Sequence, residues 1–326
     1  MDEWYDILPF LQYEQVVWWA QCCQLNHAIS ESHIQHAQWN DQGLIDVAKQ
    51  GNLEAVKYLV ERCGADVHAD HDAALARASR NGHLEVVQYL IEKGADVHAW
   101  SECAMRWASE KGHKEVVRYL VEWCGADVHA MNEKALRLAS EKGYFEVVKY
   151  LVLKGADIHA GGEWALRWAS ENGHFNVVNF LVENGANVHA GGEWALRSAS
   201  RNGHVQLVRY LVERCGANVH AKDERALLEA SSHGCLEVVK YLVERCGPHV
   251  YAQSGKALRK ARKKWHTSVV EYLERRGTLL AMKYLVEEYG EDMHAREDYA
   301  LRLASLFDHS KLVEYLESKG AFQATQ

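Results

Sequence analysis

The string Gly-Ala-Asp/Asn-Val/Ile-His-Ala begins at Gly64, Gly94, Gly125, Gly155, Gly185 and Gly216, at spacings of 30, 31, 30, 30 and 31 residues. This period constrains the fold more than any other property of the chain, because a unit so short cannot enclose a core and must be completed by its neighbours. Degenerate copies follow at Gly247 (GPHVYA), Gly290 (GEDMHA) and Gly320 (GAFQA). About nine repeats therefore fill residues 44–324, with an irregularity at 253–295, and residues 1–43 stand outside them. A chain of 326 residues would otherwise suggest two or three globular domains, but repeat proteins grow by addition.

Within one unit, ECAMRWASEK (102–111) leads through Gly112-His113 into KEVVRYLVEW, whose apolar residues recur at helical spacing. Each unit reads as helix, tight turn, helix, and the chain as all-α. Ser101, Asn132, Gly162, Gly192, Asp223 and Ser254 read as N-caps of the first helices. The acids Glu102, Glu133, Glu163, Glu193 and Glu224 follow the first five, facing the positive end of the helix dipole. Four of these acids stand four residues before Arg106, Arg137, Arg167 and Arg197, which predicts structural ion pairs. Val116, Val117, Leu120 and Val121 form a stripe that only neighbouring repeats can bury. Stacking predicts an elongated solenoid with one long concave surface, a geometry for binding.

Composition agrees: 48% apolar, 25% charged, and only Pro9 and Pro248 to interrupt helices. A formal charge of −8 argues against nucleic acid as a partner. The chain opens on Asp2 and Glu3, and no apolar run approaches the roughly 18 residues of a membrane span. Cys63, Cys124, Cys215 and Cys246 precede repeat glycines; Cys22, Cys23, Cys103 and Cys235 share no spacing, and no CxxC pair occurs. A soluble monomer in a reducing compartment is expected, cytoplasmic or nuclear, needing neither cofactor nor metal.

GHLEVVQYLIEKGADVHA (82–99) resembles the second half of an ankyrin repeat, and the likeness recurs down the chain. The first half departs: arginine stands where the family has histidine, as in Cys103-Ala-Met-Arg-Trp-Ala-Ser109 and Trp164-Ala-Leu-Arg-Trp-Ala-Ser170. Against the family period of about 33, about three residues are missing where ankyrin proteins build hairpin fingers, so shortened fingers are expected. This short, proline-poor form is similar to ankyrin proteins multiplied in the genomes of large DNA viruses of amoebae. Residues 277–290 (GTLLAMKYLVEEYG) copy residues 51–64 (GNLEAVKYLVERCG), so a first helix is missing there and a kink is expected near Gly277.

Thirteen of nineteen histidines fall at two fixed repeat positions, one set including His68, His98 and His129 and the other His83, His113 and His204. Metal and catalytic sites need different groups converging on one point, so these histidines are read as loop hydrogen bonds between repeats. Columns that vary between copies are better binding candidates. One holds Cys103, Lys134, Trp164, Trp194, Arg225, Lys256 and Tyr299; the other holds Trp107, Leu138, Trp168, Ser198, Glu229, Lys260 and Leu303. Both point away from the core positions Met105 and Leu166, onto the concave face. Trp100, Trp107, Trp164, Trp168 and Trp194 form a candidate aromatic hot spot there, and the alternative is that Trp107 and Trp168 pack between first helices. The basic run KALRKARKK (256–264) reads as a solvated helix face, with an import signal or a dock for an acidic partner as alternatives.

ILPFLQYEQVVWWAQCCQLNHAIS (7–30) resembles the middle of an F-box through Ile7, Leu11, Val16, Val17, Cys22 and Cys23, with Trp18 beside them. The alternative is an N-terminal cap over the first repeat. The residues imply a non-enzymatic scaffold holding a protein partner of unknown identity. The F-box resemblance implies instead a substrate receptor that meets a cullin-RING ligase adaptor through Ile7, Leu11, Val16, Val17 and Trp18. Nothing resembles a phosphate loop, a nucleophile elbow or a paired-carboxylate site.

Overall fold

The computed structural model describes residues 33–246 and 250–276, and every regular element among them is a helix. The chain divides into two compact units, 1–161 and 162–326. The first holds α1 (His33–Gln50), α2 (Leu53–Glu61), α3 (Ala69–Asn81), α4 (Leu84–Glu92), α5 (Ala99–Lys111), α6 (Lys114–Cys124), α7 (Ala130–Lys142) and α8 (Phe145–Leu153). α9 (Ala160–Glu171) opens the second. After it come α10 (Phe175–Glu183), α11 (Ala190–Arg201), α12 (Val205–Glu213), α13 (Ala221–Ser232), α14 (Leu236–Cys246) and α15 (Val250–Lys263), and residues 267–276 are helical again. The boundary expected at 43/44 falls inside α1. The kink expected near Gly277 lies outside the described residues.

Helices pack like with like. In the first unit the first helices α1, α3, α5 and α7 form one row and the second helices α2, α4, α6 and α8 another. In the second unit α11 packs on α13 and α13 on α15, while α12 packs on α14. The apolar stripe explains both rows. Val116, Val117 and Leu120 are buried, as are Val86, Val87 and Leu90 one repeat earlier, whereas Val121 sits half-buried at the stripe's edge. First helices contribute Ala104, Met105 and Ala108, or Ala195, Leu196 and Ala199, all buried. The small residues let the backbones approach, and each buried leucine contributes about 1.5–3 kcal/mol.

A glycine beneath a ring of the next repeat closes most of the described seams, while Gly203 meets the Cys235 side chain instead. Gly51, Gly82 and Gly112 adopt φ near +80°, and a Cβ on Gly51 would lie 2.3 Å from the His83 ring. Gly82 meets His113, Gly112 meets Tyr144, Gly173 meets His204 and Gly234 meets His266 in the same way. These rings also donate across the seam: His83 Nε2 to Lys49 O at 3.0 Å, His113 Nε2 to Arg80 O at 3.0 Å and His204 Nε2 to Glu171 O at 2.9 Å. They bind the frayed carbonyls at the end of the preceding first helix. At residue 265 the glycine column holds tryptophan instead, with φ +62° and a side chain 90% exposed.

The shortened finger is a left-handed turn of three residues. Trp100, Ser101 and Glu102 take φ,ψ of 49°,43°, 53°,63° and 63°,38°, and the Glu102 N–H donates to His98 O at 3.4 Å. The same path recurs at 70–72, 131–133, 191–193 and 222–224. Such backbone costs roughly 1–2 kcal/mol for each non-glycine residue.

This turn corrects two sequence expectations. Ser101, Asn132, Gly192 and Asp223 are the middle residues of left-handed turns and not side-chain caps. The acids do not pair with the arginines four residues on, because a left-handed residue directs its side chain to the opposite side. Glu102, Glu133 and Glu193 are buried and accept hydrogen bonds from His98, His129 and His189 Nδ1 at 2.6, 2.6 and 2.7 Å.

Candidate protein-binding face

Turning the acids inward leaves the arginines to find other partners. In α5, Arg106 reaches back over the left-handed turn and donates to Trp100 O at 2.6 Å and Ser101 O at 2.8 Å. In α11, Arg197 has only Gly191 O at 3.5 Å. Its Nε is buried and meets no acceptor, and the same is true of Arg167 Nε in α9. Burial lowers the pKa of both guanidinium groups; at Arg167 the Glu171 carboxylate opposes this and Arg197 adds to it, and at Arg197 the charge of Arg225 adds to it and Glu229 opposes it.

The tryptophans lie among these cations. Arg167 stands 3.3 Å from the centroid of the Trp194 ring and 5.7 Å from that of Trp168, and Arg197 stands 5.3 Å from Trp194. In the first unit Trp107 of α5 is held by Arg77 and Arg80 of α3, at 5.1 and 5.3 Å. Each such pair contributes about 0.5–2 kcal/mol according to its exposure. Trp107 thus packs against the preceding first helix, as does Trp194, whereas the cation near Trp168 is Arg167 of its own helix; Trp107, Trp164, Trp168 and Trp194 all remain half-buried, with surface to spare. Trp100 is 56% exposed, its ring 5.5 Å from that of His71.

Of the other column residues, Lys134 is half-buried, and Arg225 and Lys256 are exposed. Arg225 Nε donates to Glu229 at 2.7 Å. Cys103 and Ser198 depart from the expectation: both are buried, because at this position a short side chain ends between neighbouring first helices while a long one escapes to solvent. Tyr299 and Leu303, and the F-box-like Ile7, Leu11, Val16, Val17 and Trp18, lie outside the described residues. Sequence reasoning missed Arg167 and Arg197, which it had assigned to Glu163 and Glu193. The available signal was the Gly-Gly pair ahead of each acid, a composition suited to left-handed backbone.

Among the described residues no group of three His, Cys, Asp or Glu side chains gathers where it could hold a metal ion. No described helix is long and apolar enough to cross a membrane. Residues 19–101, 97–161 and 166–254 match the family model for ankyrin repeats in three copies. The chain belongs to the ankyrin-repeat family. No curated protein matches it. Ankyrin repeats are generally protein-interaction modules.

Proposed function

We propose that the chain is a non-enzymatic scaffold that binds a protein partner along the first-helix faces of its repeats. The observation that carries this reading is the half-exposed row Trp164, Trp168 and Trp194 interleaved with Arg167 and Arg197, since tryptophan and arginine dominate binding energy at protein interfaces. The test is affinity capture from cell extract with the full chain and with Trp164→Ala plus Trp194→Ala, after circular dichroism has established that the variant is folded. Retention of the same proteins by a folded variant overturns the reading.

A second reading rests on the F-box-like residues 7–30, of which 19–30 also fall within the ankyrin match. In it the chain is a substrate receptor for a cullin-RING ligase, working in the cytoplasm of an infected host cell. Cullin and its adaptor should then be captured by the full chain and lost on Leu11→Asp with Val17→Asp. Their absence from both captures removes this reading and leaves the scaffold standing.

A further inference from the structure

We infer that the first-helix face of the second unit docks an extended acidic polypeptide segment whose carboxylates recur at every third residue. This deepens the proposed protein-binding reading and rests on it. Arg167 and Arg197 occupy the same place on consecutive first helices. On the next helix that column holds Leu228, which is buried, and Arg225 supplies the positive charge from one turn earlier. Lys256 continues the strip on α15, exposed to solvent.

These cations outnumber the acids beside them: Glu171 acts on Arg167, and Glu229 acts on Arg197 while bridging Arg225 at 2.7 Å. Glu193 is committed to His189 at 2.7 Å and Glu163 is buried. Arg167 and Arg197 each keep a buried Nε that meets no acceptor. Like charges are thus held close together on one surface of a chain whose net charge is −8. Such a strip is complementary to an anionic ligand and steers one toward it.

The tryptophans decide which anion. A single-stranded nucleic acid binds through bases stacked on open aromatic faces. Here Arg167 lies 3.3 Å from the centre of the Trp194 ring and Arg197 approaches at 5.3 Å, so the ring is already engaged by guanidinium. The Nε atoms are buried beyond a ligand's reach, but both side chains are half-exposed, and carboxylates accept from the outer N–H groups through paired, charge-assisted hydrogen bonds.

Spacing sets the register. Packed helices stand about 8–10 Å apart. A polyproline II segment advances about 3.1 Å per residue with three residues per turn, so every third side chain shares one face at a repeat of about 9 Å. Carboxylates at i and i+3 then meet Arg167 and Arg197 in turn, and one at i+6 meets Arg225 in competition with Glu229. A β-strand would turn alternate members of such a series away, because its side chains alternate with period 2.

The test titrates the full chain into three fluorescein-labelled probes followed by anisotropy: a proline-rich peptide with Glu at every third position, a peptide of the same composition with Glu at every second, and oligothymidine. The every-third peptide should bind at least tenfold more tightly than the other two. Arg167→Gln and Arg197→Gln should each weaken it about tenfold, Arg197→Lys should weaken it less, and Arg118→Gln on α6 should leave it unchanged. Equal binding of both peptides, tighter binding of oligothymidine, or indifference to the arginine variants overturns the inference. If no peptide binds while captured partners still depend on Trp164 and Trp194, the acidic segment is wrong and the scaffold reading survives. If neither peptides nor the tryptophan variants show an effect, both fall.

Discussion

The left-handed turn at Trp100-Ser101-Glu102 and the one at Gly191-Gly192-Glu193 follow nearly the same backbone path by different means. In the first, two bulky residues accept φ of 49° and 53°, and Arg106 bridges their carbonyls at 2.6 and 2.8 Å. In the second, glycines take the same conformation without a Cβ penalty, and Arg197 is barely engaged, 3.5 Å from Gly191 O. One turn spends its arginine on holding itself together. The other leaves the arginine at the surface, among tryptophans and without a hydrogen-bond partner at Nε. Nearly the same backbone can therefore engage its arginine in one repeat and leave it little engaged in another, decided by the two residues ahead of a buried glutamate.

This contrast can be broken most directly at the glycines. Gly191→Ala with Gly192→Ala should destabilise the chain by about 2–4 kcal/mol in urea unfolding, since both positions are left-handed. The added methyl on Gly192 meets the flexible end of Lys222, while that on Gly191 would lie 3.1 Å from the Trp194 ring, so the loss should combine backbone strain with a shift of that ring. An unchanged midpoint would mean that the turn has no preference for glycine, and the contrast would lose its basis.

The arginines sharpen the same point at smaller scale. Arg106→Ala should cost about 2 kcal/mol, because two carbonyls lose a charged donor. Arg197→Ala should cost less, about 1 kcal/mol, since its contact with Trp194 is what it chiefly loses, and on the proposed reading it should also weaken partner binding. The reverse order in unfolding experiments would refute the division of labour.

The smallest effect concerns pH. The hydrogen bond to Glu102 raises the pKa of His98 above its ordinary 6.5, and Glu133 does the same for His129; Asp96 and Asp127 add to the effect at His98, against burial. A raised folded-state value means that stabilisation is complete below about 6.5 and is lost as pH rises through the folded value. Both rings are more than half exposed, so the slope should be shallow, and His98→Gln should flatten it in pH-dependent thermal melts.

The repeat and its buried columns were legible in the sequence because the period places Met105, Leu166, Val117 and their counterparts in register, and burial follows register. The seam histidines were legible for the same reason. The finger's geometry was hidden because Ser, Asn, Asp and Gly ahead of an acid suit both a helix N-cap and a left-handed residue. The mistaken caps then carried the mistaken ion pairs with them. Cys103 and Ser198 show a different limit: variation within a column marks freedom from the core pattern, but whether a side chain reaches solvent depends on its length.

The seam formed by a bare glycine under the next repeat's ring also bears on how this array can change its length by recombination. Gly51, Gly82 and Gly112 in the first unit, and Gly173, Gly203 and Gly234 in the second, present φ of at least +75° and no Cβ to a side chain of the next repeat, so duplication or excision of one whole repeat within a unit regenerates a matching joint. Trp265 ends that interchangeability. Its Cβ stands where the glycines of the other repeats have none, so a histidine-bearing repeat copied directly behind it would meet a different joint.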